Sequence, residues 1–122
     1  DLLIFDMPWS EKSFPELSLD ERRYPLAYSS RQWITSTYVL NLPDNVEVKY
    51  LPDNFAGWYK DIIFCNSSWS VRNNTVIYTV SHRRMKDRVY PEDYKGYKSF
   101  LEDFANATKQ KLVLSEKKIG GR

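Results

Sequence analysis

The chain has 122 residues, enough for one domain with its own core and no covalent staples. Its net charge of +2 is too small to point to nucleic acid, and a single cysteine excludes an internal disulfide framework or a multi-cysteine zinc site. Four Trp, nine Tyr and six Phe, with many Val, Ile and Thr, favour strands, and no apolar run reaches the length of a membrane span.

The chain opens on Asp1 and passes directly into a strand-like run, Leu2-Leu3-Ile4-Phe5, ended by Met7-Pro8-Trp9-Ser10. With no Met and no signal-like segment, this start is expected of a piece cut from a longer protein. Residues 11–20 read as a connection with a short strand near Leu17–Leu19. Pro25 then biases Tyr24 toward extended geometry.

Residues 31–42 predict a long strand. Ile34, Ser36, Tyr38, Leu40 and Leu42 fall on one face, and Trp33, Thr35, Thr37 and Val39 on the other. Both faces carry apolar residues, so the strand is expected in the middle of a sheet. Leu-Pro-Asp-Asn turns the chain at 42–45 and again at 51–54. Between the two turns, Val46, Val48 and Tyr50 alternate with Glu47 and Lys49, the pattern of a half-buried strand. Residues 55–60 read as a loop or an irregular strand.

The stretch 62–88 reads as two long strands joined at Asn73-Asn74. Asn tolerates positive φ, so this pair suits the centre of a type I′ turn. The turn would pair Arg72 with Thr75 and Cys65 with His82. One face then carries Ile63, Cys65, Ser67, Trp69 and Val71 opposite Arg84, His82, Val80, Tyr78 and Val76. The other is mostly hydroxyls, amide and charge. Only the first is apolar enough to sit on a core.

Pro91-Glu92-Asp93 has proline at a first helical position and two acids in the first turn. Tyr94, Tyr97, Leu101, Phe104 and Ala105 then follow helical spacing, which predicts a helix over about 91–108. Leu112-Val113-Leu114 predicts a last edge strand. The expected domain is 1–115, followed by a flexible basic tail, 116–122. Strands followed by one helix exclude a parallel α/β sheet. An all-β antiparallel β-sandwich with one C-terminal α-helix fits best; an α+β fold, one sheet with the helix on its face, is the alternative.

Several motifs in this order carry a resemblance: Glu21-Arg22-Arg23-Tyr24-Pro25-Leu26, Leu-Pro-Asp-Asn ahead of Val46-Glu47-Val48, Leu51-Pro52, the hairpin, Tyr90-Pro91-Glu92-Asp93-Tyr94, Phe100-Leu101 and Lys111-Leu112-Val113-Leu114. From about Met7 to Leu114 the chain resembles the C-terminal domain of unknown function that follows a transglutaminase-like domain in multidomain bacterial proteins, many of them from Bacteroidetes. The resemblance implies an exported protein, periplasmic or extracellular, with the preceding transglutaminase-like domain as partner. It carries no catalytic residue onto this chain.

Cys65 opposite His82 has the start of a cysteine nucleophile. The sequence offers no third group to orient the base, and a buried structural pair is the better reading. His82, Arg83 and Arg84, with Lys86 and Arg88, alternate between strand faces and do not form one patch unless the strand bulges. No spacing of His, Cys or carboxylates suits a metal, and no cofactor is expected. Asn66, Asn73 and Asn106 begin N-x-S/T triplets, which in a bacterial protein carry no glycan.

Trp9, Tyr28, Trp33, Trp58 and Tyr59 exceed what the core needs. They can anchor an adjoining domain, or stack on sugar rings. The expected function is a non-catalytic accessory domain that packs on or positions the catalytic core. A carbohydrate-binding module, with polysaccharide as partner, is the alternative; nucleic acid and a membrane span are not expected.

Overall fold

The computed structural model describes residues 2–5 and 14–117. In chain order the elements are β1 (Leu2–Phe5), β2 (Leu26–Ala27), β3 (Gln32–Asn41), β4 (Val46–Tyr50), β5 (Phe55–Tyr59), β6 (Ile63–Arg72), β7 (Thr75–Arg84), β8 (Arg88–Val89), α1 (Pro91–Thr108) and β9 (Leu112–Glu116). They form three antiparallel sheets: four strands in the order β3-β7-β6-β5, three in the order β1-β9-β4, and the short pair β2-β8. The protein is therefore mainly β with one C-terminal helix, as the strand patterns predict.

The β6–β7 hairpin holds the expected register, with Arg72 opposite Thr75 and Cys65 opposite His82. Its turn differs from the expectation. Of the two central residues only Asn73 has positive φ, at 55°, which is the sign pattern of type II′ and not of type I′. A two-residue loop closes the same pairing either way, so the register is unaffected.

Register parity sorts the side chains. Ile63, Cys65, Ser67 and Trp69 on β6 and Val76, Tyr78, Val80, His82 and Arg84 on β7 are all buried. The apolar ones among them form one core with Val46, Leu112 and Leu114 of the three-stranded sheet and with Tyr94, Tyr97, Leu101 and Phe104 of the helix. Each fully buried large side chain contributes about 1.5–3 kcal/mol by leaving water. Trp69, Tyr78 and Tyr38 make an aromatic row across this inner face. Ring centroids are 4.3 Å apart for Trp69–Tyr78 and 6.1 Å for Tyr38–Tyr78.

The helix begins where Pro91 and the two acids place it, and its N-cap Tyr90 is extended (φ −76°, ψ 156°), as a residue before proline prefers. It packs on β5, β6 and β8. Small residues allow this close approach. A Cβ on Gly57 of β5 would lie 3.2 Å from a ring carbon of Phe100, and one on Gly96 would collide with the Tyr59 ring at 2.6 Å.

Five expectations need correction. Residues 15–17 form a 3₁₀ turn (Pro15–Leu17), not a strand near Leu17–Leu19. Residues 55–59 are a regular strand that pairs fully with β6. β3 lies at an edge: its outer face is exposed at Trp33 and Val39, so apolar residues on both faces reflected a surface and not a central position. β9 is the middle strand of its sheet, because β1 returns from the start of the chain to pair with it. Glu116 belongs to β9 and not to the tail. No helix among the described residues is long and apolar enough to cross a membrane.

Candidate functional site

Two regions hold the side chains that the sequence singles out, one at the end of the four-stranded sheet and one on its outer face. The first is a cavity of about 340 Å³, lined in part by Glu16, Tyr28, Gln32, His82, Arg84 and Tyr97. β7 supplies His82 and Arg84, β3 supplies Gln32, and the helix supplies Tyr97. The short β2-β8 pair fixes Tyr28, whose backbone N–H donates to the Asp87 carbonyl at 2.8 Å. The Arg84 guanidinium stacks 3.5 Å from the Tyr28 ring centroid, and its Nη2 donates to the Ser30 carbonyl at 2.7 Å. The Tyr28 hydroxyl donates to Glu16 Oε2 at 3.2 Å and shares a 2.8 Å hydrogen bond with the Tyr97 hydroxyl.

Burial raises the pKa of both phenols, reinforced for Tyr28 by its bond to Tyr97. They remain protonated at neutral pH and serve as hydrogen-bonding groups, not bases. Tyr59 also faces inward. Its hydroxyl donates to the Asp93 carbonyl at 3.2 Å, and its ring meets Tyr97 and Phe100.

Cys65 lies opposite His82 with no exposed surface, and burial pushes its thiol up to about 12. His82 Nε2 lies 3.3 Å from Gln32 Oε1. A buried thiol that holds its proton at neutral pH is a poor nucleophile. Among the described residues no group of three or more His, Cys, Asp or Glu could hold a metal ion.

The second region is the outer face. Trp58 pairs with Phe64, Phe64 with Arg83, and Arg83 with Trp33. These four residues therefore form one straight row across all four strands, pointing away from the core. Trp33 is 68% exposed and Trp58 56%. The Trp58 and Phe64 rings lie 5.0 Å apart, and the Arg83 guanidinium sits 4.7 Å from the Trp33 centroid. Next to this row stand Ala56, Asn66, Ser81 and Thr35, then Ser68, Thr79 and Thr37.

Beside Trp33 the sheet ends in a cleft of about 250 Å³ lined by Arg31, Gln32, Trp33, Arg83, Arg84 and Met85. Arg83 and Arg84 do point to opposite faces, but the strand end brings both to this one cleft with Arg31. The separation expected from alternation therefore fails at the edge. Of the aromatics proposed as surplus, Trp33 and Trp58 share the outer row, while Tyr28 and Tyr59 belong to inward packing. Trp9 lies outside the described residues. Sequence reasoning missed Glu16, Gln32 and Tyr97 in the cavity and Phe64 in the row, and the only advance signal was the helical stripe that contains Tyr97.

A model of a family described as a domain of unknown function with a solved structure, DUF3858, matches residues 1–114. The chain belongs to that family. A crystal structure from Parabacteroides distasonis, titled a "putative protease", resembles it with a TM-score of 0.73 at 16% identity, which speaks for a shared fold. The match covers 93% of this chain and 23% of that one, so the chain spans about a quarter of the length of the Parabacteroides protein. No curated protein matches.

Proposed function

We propose that this chain is a non-catalytic accessory domain of an exported bacterial protein, periplasmic or extracellular, that packs on and positions a protease-like or transglutaminase-like core. The observation that carries this reading is the recurrence of nearly the whole fold within a chain about four times as long that is described as a "putative protease". The motif order from Glu21 to Leu114 supports a transglutaminase-like neighbour in particular. The buried, protonated Cys65 thiol supports a domain that leaves covalent chemistry to another part of the protein. Leu19, Tyr24 and Tyr90, each more than half exposed, supply apolar surface away from the outer sheet face for such a contact.

Two measurements on the 122-residue chain test the reading. Assays of peptide hydrolysis and of transamidation should show no turnover by the chain alone. Fusion to the sequence that precedes it in the full-length protein should raise its unfolding temperature. Turnover that disappears in Cys65→Ala, or an unfolding temperature unchanged by the neighbour, would contradict it.

A further inference from the structure

We propose that the outer face of the four-stranded sheet binds an acidic polysaccharide, laid along the row Trp58–Phe64–Arg83–Trp33 with its carboxylates at Arg31 and Arg83 in the cleft beside Trp33. This goes beyond the accessory role, which assigns no ligand to this face, and does not depend on it.

The row itself comes first. Exposed Trp side chains are costly to leave in water, and here two lie in register on one face of the sheet. They are three strand spacings apart, about 14 Å, which suits a short oligosaccharide crossing the strands. Phe64 and Arg83 fill the interval, so the surface between the indoles is continuous.

The neighbouring rows suit sugar hydroxyls. Thr35, Thr37, Ser68, Thr79, Ser81 and Asn66 present donors and acceptors beside the aromatic row. The centre of a protein–protein interface would be more apolar than this.

Charge selects the kind of sugar. Arg31, Arg83 and Arg84 line the cleft with no acidic residue among its described lining, and none of the three is ion-paired among the described residues. Arg84 is buried and its guanidinium turns inward onto the Tyr28 ring and the Ser30 carbonyl, so Arg31 and Arg83 are the cations this end of the outer face offers. Guanidinium forks match carboxylates geometrically, so a uronate complements this end of the face. Single-stranded nucleic acid would stack on the same rings, but it needs a basic track along the whole strand path. Here the positive charge lies at the Arg31–Arg83 end and, apart from it, at Arg72 by the hairpin turn, with no basic residue in the rows between.

The test is titration of the chain's tryptophan fluorescence with hexameric oligogalacturonate. Cello-oligosaccharide of equal length, poly-glutamate and oligo-dT serve as comparisons. The expected result is saturable binding of the oligogalacturonate that weakens with salt and is at least about tenfold tighter than binding of any comparison ligand. Trp33→Ala/Trp58→Ala and Arg83→Gln should each weaken it at least about tenfold, with the fold intact by circular dichroism. Absence of saturable binding would overturn the proposal. So would equal affinity for poly-glutamate or oligo-dT, or unchanged affinity in the Trp33→Ala/Trp58→Ala variant. None of these outcomes bears on turnover or on stabilisation by the neighbouring domain.

Discussion

The four-stranded sheet carries two aromatic rows, one on each face, and they have opposite fates. Trp69, Tyr78 and Tyr38 cross the inner face in contact with one another, with Trp69 and Tyr78 buried. Trp58, Phe64, Arg83 and Trp33 cross the outer face, with both indoles mostly in water. Composition does not distinguish them, since each contains tryptophan and a second kind of ring. Strand parity does. On β6 the odd-numbered residues from Ile63 to Trp69 face the core and the even-numbered ones face outward, and on β7 the parity is reversed, with the even-numbered residues from Val76 to Arg84 facing the core. The inner row is thus held in place by the fold, and the outer row is available for contacts beyond it.

Substitutions can break this contrast. The largest effect is expected from Trp69→Ala or Tyr78→Ala, each lowering stability by about 3–5 kcal/mol because a large buried ring is replaced by a cavity. Chemical denaturation would show it as a lower midpoint at unchanged slope. Gly96→Ala should cost about 1–3 kcal/mol despite alanine's better helix propensity, because the added carbon strikes the Tyr59 ring. Tyr28→Phe removes a hydroxyl bonded to both Glu16 and Tyr97 and should cost about 1 kcal/mol. The smallest effect is expected from Trp33→Ala, at or below about 1 kcal/mol, since it removes only an exposed cation–π contact with Arg83.

The inner face also predicts a pH dependence. Burial raises Cys65 from 9.0 to about 12, and burial followed by the charge of Tyr38 raises Tyr78 from 10.0 to about 12. Above pH 9 the unfolded chain releases these protons while the folded chain retains them. Stability is therefore full below pH 9 and falls as pH rises toward 12. Cys65→Ala should flatten the part of that decline that begins near pH 9, read as unfolding temperature against pH.

The sequence shows the parity of the hairpin plainly, because a two-residue loop at Asn73-Asn74 leaves one register that buries Trp69, Tyr78 and Val80 together. The helix is equally plain, since Pro91, the acids after it and the Tyr94–Phe104 stripe are all local signals. The outer row is not legible in this way. Aligning Trp33 with Trp58 requires the registers of β3 on β7 and of β5 on β6. The first joins strands separated by more than thirty residues. The second turns through Lys60, which takes φ 48° without being Gly or Asn and gives no sign of a turn. The cavity is hidden for a similar reason. Glu16, Tyr28, Arg84 and Tyr97 meet only through the two-residue pairing of β2 with β8, too short to leave a pattern. The place of β9 between β1 and β4 likewise depends on contacts between the two ends of the chain.

The contrast between the rows is tested most directly by the thermal unfolding temperature of Trp33→Ala/Trp58→Ala, set beside that of Trp69→Ala. If the outer row serves contacts outside the fold, the double variant should lose no more than about 2 kcal/mol, a shift of several degrees. Trp69→Ala alone should fall by more than about 10 °C. A double variant that unfolds as early as Trp69→Ala would show that the outer tryptophans hold the domain together, and would contradict the account.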